Sequence, residues 1–302
     1  MEISTYPIFA HTSLNSLMDF KKAVYFMLLS TLAFTAMNGL LKFLTTYSAY
    51  QLVFFRSLGS LFFTFGYLSS RGIPILGTHR KLLVLRGLVG STSMVLFFMA
   101  LHYIPLGSAV GLRYIAPIFA AIFAILLLRE NVRPIQWLFF LISFLGVIVL
   151  KGFDRSIPLI GLGLVLISSV FSGLVYIIIR RIGSREHPVV IVNYFMCIAA
   201  MIGGIGSIFD WKTPVGIDWF LLLSLGVFGY FGQLFMTKAF QMSETNVIAP
   251  LKYLEVFFAV IVGVVFLGEE YFIWSFVGMG MIIGGLLLNL WYKQRLLRKH
   301  LG

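Results

Sequence analysis

Residues 100–150 and 239–289 are two copies of one pattern. Sliding the first stretch forward by 139 positions, without a gap, lays Ala100 on Ala239, Leu112 on Leu251, Arg113 on Lys252 and Tyr114 on Tyr253. Farther along, Phe119 meets Phe258, Ala120 meets Ala259, Leu128 meets Leu267, Glu130 meets Glu269 and Gly146 meets Gly285. Apolar matches between two oily stretches carry little weight. Aligned basic–tyrosine pairs and aligned glutamates mark a duplicated unit, so the chain must fold as the same unit built twice.

Hydrophobicity says what the unit is. Of the 302 residues, 60% are hydrophobic and 11% charged, against about 25% charged in a soluble globular chain. Apolar runs of about 18 residues or more mark helices that cross a bilayer. Ten spans can be drawn: 23–44, 49–70, 82–104, 106–128, 134–151, 158–181, 188–209, 216–239, 245–268 and 271–292. The fold class is an all-α integral membrane protein with ten transmembrane helices. Each half holds five spans, an odd number, so the second half enters the membrane upside down and the repeats are inverted. The chain divides into a cytoplasmic segment 1–22, repeats over 23–151 and 158–292, and a basic cytoplasmic tail 293–302.

Lys and Arg set the orientation, because cytoplasmic loops hold their excess. Fifteen lie on the side of the termini, including Arg71, Arg80, Lys81 and Arg185, against four on the other, Lys42, Lys151, Arg155 and Lys212. Both termini therefore face the cytoplasm. Trp137, Trp211, Trp219, Trp274 and Trp291 fall near span ends, where interfacial anchors belong. The net charge of +12 is spread between apolar spans, so it implies no nucleic-acid partner. The expected partners are the lipid bilayer and a small organic solute. Gly280 and Gly284 form a G-x-x-x-G that permits close helix approach, which leaves a homodimer open. A single cysteine, Cys197, excludes an internal disulfide. No metal-ligand spacing or cofactor motif is present, and the absence of a P-loop argues against direct ATP drive. Residues 1–22 carry no cleavable signal pattern.

The fourth span combines Ala109 near its start, Pro117 in its middle and Glu130 at its end; the ninth repeats the glutamate at Glu269. In these features the chain resembles the EamA-type branch of the drug/metabolite transporter superfamily, over roughly 20–292. It departs in having Val256 where the first half has Pro117, with Pro250 earlier instead. The resemblance implies a carrier of small organic solutes in the bacterial inner membrane.

Ionisable groups inside spans cost about 2.5–3.5 kcal/mol on insertion scales and usually face a cavity or a partner. Arg56, Arg86, Arg113 and Lys252 lie inside spans, with Glu255 as the intramembrane acid near them. Arg113 and Lys252 would flank the midplane from opposite sides. One reading is a basic-walled cavity for an anionic or zwitterionic solute, because a guanidinium matches two oxygens of a carboxylate or phosphate. The other is structural: Arg56 and Arg113 bond helix-end carbonyls, Arg86 snorkels to the headgroups, and Lys252 pairs with Glu255 three residues on. Glu255 could instead titrate and couple transport to protons. Tyr114 and Tyr253 stand beside the basic pair, to bind solute or to pack. Asn38 and Gln233 are mid-span amides that could line the path. Pro117 and Pro250 mark helix bends and join Glu255 and Arg86 as candidate coupling or gating residues. Glu130 and Glu269 are expected to anchor helix starts.

Inverted repeats are a common architecture of secondary transporters, and alternating access around a central site is the expected mechanism. An intramembrane enzyme would need a nucleophile with its base, paired aspartates or a metal motif, and none is visible. A membrane assembly or sensor protein without transport is the remaining alternative.

Overall fold

The computed structural model describes residues 8–128, 133–153, 157–242 and 249–301. Their elements are α1 (Ile8–Phe43), α2 (Ala49–Ser70), α3 (Arg80–Leu101), α4 (Leu106–Arg113), α5 (Ala116–Leu128) and α6 (Pro134–Phe153). The second half adds α7 (Leu159–Ile182), α8 (Pro188–Ser207), α9 (Asp218–Met242), α10 (Leu254–Leu267) and α11 (Ile273–Leu301). Three-residue 3-10 turns follow α7 and α8, and a longer one, Ala249–Tyr253, precedes α10. Eight described segments are long and apolar enough to cross a bilayer, one of them the α4–α5 pair taken together. The shorter apolar helix Pro134–Leu150 and α10 complete the ten. α1 and α11 run on beyond their apolar spans, through residues 8–22 and 293–301.

Helix ends fall where the sequence punctuates them. The Ser48 side chain caps α2 by accepting from Gln51 N, and Pro134 and Pro188 open α6 and α8, where a missing N–H costs nothing.

The packing is symmetric under exchange of the halves. α1 packs on α9 as α7 packs on α3, and α2 on α9 as α8 on α3. α1 lies against α10 as α7 lies against α5, while α2 meets its own equivalent α8 and α6 meets α11. Such swapped pairs require a two-fold relation, which for five-span halves lies in the membrane plane. Glycine lets the self-paired seam close: a Cβ on Gly146 would fall 2.7 Å from Gly278 O, and one on Gly278 2.8 Å from Gly146 O. Gly280 and Gly284 take no part in it, since a Cβ at either meets no atom within 4 Å.

Both central spans are broken, and at equivalent places. α4 stops at Arg113 and α5 restarts at Ala116. Pro117 has no N–H to give the Arg113 carbonyl, and its ring crowds that oxygen. The chain crosses the gap in tighter bonds, from Ile115 N to Leu112 O at 3.1 Å and from Ile118 N to Ile115 O at 2.9 Å. In the second half the 3-10 turn ends at Tyr253 and α10 begins at Leu254, although Val256 replaces the proline. The bend sits at the repeat-equivalent level, with Pro250 inside the turn before it.

Candidate functional site

A cavity of about 170 Å³ lies between the halves, walled by α1–α4, α7–α9 and the ninth-span break. Of the eleven residues singled out above, it is lined by Asn38, Arg56, Arg86, Arg113, Tyr114, Gln233, Lys252 and Glu255. Tyr253 stands behind this wall, edge-on to Tyr114 with ring centroids 5.0 Å apart. Pro117 and Pro250 belong to the breaks and not to the lining.

Among the described residues, no carboxylate pairs with the basic groups of the wall. Arg56, 4% exposed, donates from Nε to Met37 Sδ at 3.2 Å and from Nη1 to Met94 Sδ, with Phe98 beneath it. Arg86 lies 4.1 Å over the Phe195 ring, and Arg113 lies 4.3 Å over Phe97. A cation over an aromatic face gains about 0.5–2 kcal/mol, short of what a buried carboxylate partner supplies. Arg86 does not reach the headgroups: at 6% exposure it is buried, because Gly90, one turn farther along α3, leaves the space in which its guanidinium lies. Among the described residues the carboxylates near a basic side chain are Glu269, beside Lys42, and Glu186, beside the His79 ring, so the anticipated Lys252–Glu255 bridge does not form.

Glu255, itself buried, turns to the other half. Asn38 Nδ2 donates to its Oε1 at 3.0 Å, and the Tyr114 hydroxyl shares its proton between Oε2 at 2.9 Å and the Lys252 carbonyl at 2.7 Å. One carboxylate thus ties α10 to α1 and to the break after α4. Ser93 and Ser172 line the cavity as a hydrogen-bonded pair, Oγ to Oγ 2.7 Å. Nothing in a single sequence separates Met37, Met94, Phe195 or these serines from lipid-facing neighbours. The arginines were the only pointer to them.

The two ends of the bundle are fastened differently. At the face of the α1–α2 loop, Glu269 accepts from the first backbone N–H of α4, Leu106 N, at 2.8 Å. Tyr271 joins Gly107 N to the same carboxylate, and Lys42 stands 3.8 Å from it. Glu269 therefore anchors a helix start, but across the bundle and not that of the helix it precedes. Gly268, left-handed at φ 63°, makes the turn that presents it. Glu130 lies outside the described residues. At the face of the α2–α3 loop, Glu186 accepts from Thr78 N at 2.7 Å, Thr78 Oγ1 at 2.6 Å and His79. Burial alone would raise the Glu186 carboxyl; the bonds from Thr78 and His79 outweigh it and hold the group down at about 2. Among the described residues no three His, Cys, Asp or Glu side chains converge as metal ligands would.

The EamA-like transporter family model matches the chain twice, over residues 21–151 and 159–291. The pseudopaline exporter CntI of Pseudomonas aeruginosa is 29% identical over 88% of this chain and 92% of its own length. Human solute carrier family 35 member G1 is 27% identical, covering 90% of this chain and 80% of its own. The S-adenosylmethionine uptake transporter of Rickettsia prowazekii is 26% identical over 80% and 83%. A solved crystal structure superposes with a TM-score of 0.65 at 19% identity, over 91% of this chain and 99% of that one, a likeness of fold alone. Two family matches, one per five-helix half, together with relatives named as transporters, make this chain a multi-pass membrane transporter of the EamA-like transporter family.

Proposed function

We propose that this transporter carries a small organic anion or zwitterion through the central cavity by alternating access, as a secondary transporter of the inner membrane with both termini in the cytoplasm. One observation carries the reading. The cavity lies at both helix breaks, with the repeat-equivalent Arg113 and Lys252 in its wall. A solute held there touches both halves at the places where their central helices bend. Broken helices at a repeat interface are where transporters of this architecture bind their solutes. Pro117 and Pro250 would locate the bending, and Glu255, bonded to Asn38 and Tyr114, would sense it. The named relatives move pseudopaline and S-adenosylmethionine, both small organic solutes.

The test is uptake by proteoliposomes of purified protein, after a thermal-shift screen of anionic, zwitterionic and cationic metabolites. Arg113→Ala and Lys252→Ala should each lower uptake of the screened solute while the protein stays folded. Wild-type uptake from both variants would remove the basic cavity from the mechanism. Product formation without sealed vesicles would replace transport with catalysis.

A further inference from the structure

The cavity wall is electrically one-sided. Arg56, Arg86, Arg113 and Lys252 line it against a single carboxylate, Glu255, and that carboxylate is already bonded to Asn38 and Tyr114. None of the four cations has a carboxylate within ion-pair distance among the described residues. Arg86 is the extreme case: its Nε and Nη1 are hidden from solvent and meet no acceptor among the described residues. A buried donor left unmade costs about 1–3 kcal/mol, more when charged. A membrane protein does not bury guanidinium groups unpaired without a use for them. The side chain is nevertheless fixed in place, stacked on Phe195 and lying across Gly90, where a Cβ would come within 2.3 Å of Nη1. Asn38, also in the lining, has in Oδ1 a buried acceptor with no donor among the described residues.

We infer that the cavity is a polyanion site. Its solute carries at least two carboxylate or phosphate groups, one of them received by Arg86 beside Ser93 and Ser172, and a hydroxyl or ammonium donor for Asn38 Oδ1. A monoanion would leave two or more cations uncompensated each time the cavity closed on it. A dianion or trianion matches the surplus, and a guanidinium fork takes each oxyanion through two oxygens. This rests on the reading of the central cavity as the solute site and adds to it the charge of the solute and the residue that counts it.

The experiment uses full-length protein in detergent at about pH 8, where every carboxylate of the probes is ionised. The probes are butyrate, succinate and propane-1,2,3-tricarboxylate, with inorganic phosphate and 3-phosphoglycerate as the phosphate arm. Binding is read by thermal shift and by isothermal titration. Affinity should rise about tenfold for each added carboxylate, as one charge-assisted contact allows. In Arg86→Gln the tricarboxylate should fall to the level of succinate. Gly90→Ala, which keeps the charge but displaces the guanidinium, should do the same, and Arg86→Lys should recover part of the loss. Tighter binding of 3-phosphoglycerate than of inorganic phosphate would show that the same count holds for mixed oxyanions. Equal binding of butyrate and tricarboxylate by the wild type overturns the inference, as does an unchanged series in both Arg86→Gln and Gly90→Ala. Those results leave the central site standing. Binding of neutral or cationic solutes with none of the anions would bring down the anion reading of the proposed function as well.

Discussion

The two halves share a fold but not a chemistry. From Asp19 to Glu130 the first half contains no acidic residue between those two positions. It brings Arg56, Arg86 and Arg113 to the cavity, each resting on phenylalanine, with methionine sulfur added at Arg56. The second half supplies carboxylates, and four of them reach across to the first. Glu269 takes the start of α4, Glu255 takes Asn38 and Tyr114, and Glu186 takes the turn before α3. Asp218 accepts from Tyr47 at the same face as Glu269. Duplication thus provides two similar bundles, while divergence of charge provides a cavity with a positive wall and a seam pinned at three depths. A symmetric lining would look the same from either half; this one has a front and a back.

Exchanging the repeat-equivalent pair is the strongest way to break the comparison. Arg113→Ala should cut solute uptake by about tenfold or more, because a charged hydrogen bond contributes roughly 1.5–3 kcal/mol. Lys252→Ala should cost about threefold, since an ammonium is a point charge without the planar fork. The measurement is initial uptake rate at saturating and sub-saturating solute. A larger loss at Lys252 would show that the positive wall belongs to both halves.

The tyrosine pair sharpens it at a smaller scale. Tyr114→Phe removes the hydroxyl that joins Glu255 to the Lys252 carbonyl and should lower uptake and stability together, by about 1 kcal/mol. In Tyr253→Phe the ring that packs on Tyr114 remains, so uptake and melting temperature should stay near wild type. Equal effects at the two sites would mean that ring packing, and not the carboxylate tie, sets the geometry of the breaks.

Much of this was readable in the sequence. Apolar runs gave the spans, the shift of 139 gave the halves, and the rule that charge inside a span faces a cavity or a partner pointed to Arg56, Arg86, Arg113, Lys252 and Glu255, all five of which line one cavity. What failed to show were the partners. Lys252 and Glu255 are three apart on the chain, which favours a local pair, yet Asn38 and Tyr114 hold the carboxylate. Of the two readings open for Arg86 the headgroup one fails, because the room made for the side chain by Gly90 is a fact of packing that no local pattern records. Glu269 caps a helix 163 residues earlier in the chain, a distance that no local motif encodes. The acid-free run of the first half, by contrast, stands open in the sequence, and it agrees with the middle carboxylate, Glu255, coming from the second.

The end fastenings supply the smaller effects. Glu269→Ala leaves the first N–H of α4 without its carboxylate and should destabilise the protein by about 1–2 kcal/mol. That loss should be felt at neutral pH and be only weakly sensitive to salt, given how little of the Glu269 side chain is exposed. The contribution of Glu186 should instead carry a pH signature. Its folded value, about 2, lies below the ordinary 4.5, so the folded state favours the ionised form. The stabilisation is complete above the ordinary value and disappears as pH falls from about 4.5 towards 2. Glu186→Gln should therefore melt below wild type at neutral pH, with the two melting temperatures converging across that acid window. Convergence follows because a protonated Glu186 is no better an acceptor for Thr78 and His79 than the amide. A gap that stays constant down to the lower limit would mean that the α2–α3 turn is held by packing, and that the second half's hold on the first at this face is not electrostatic.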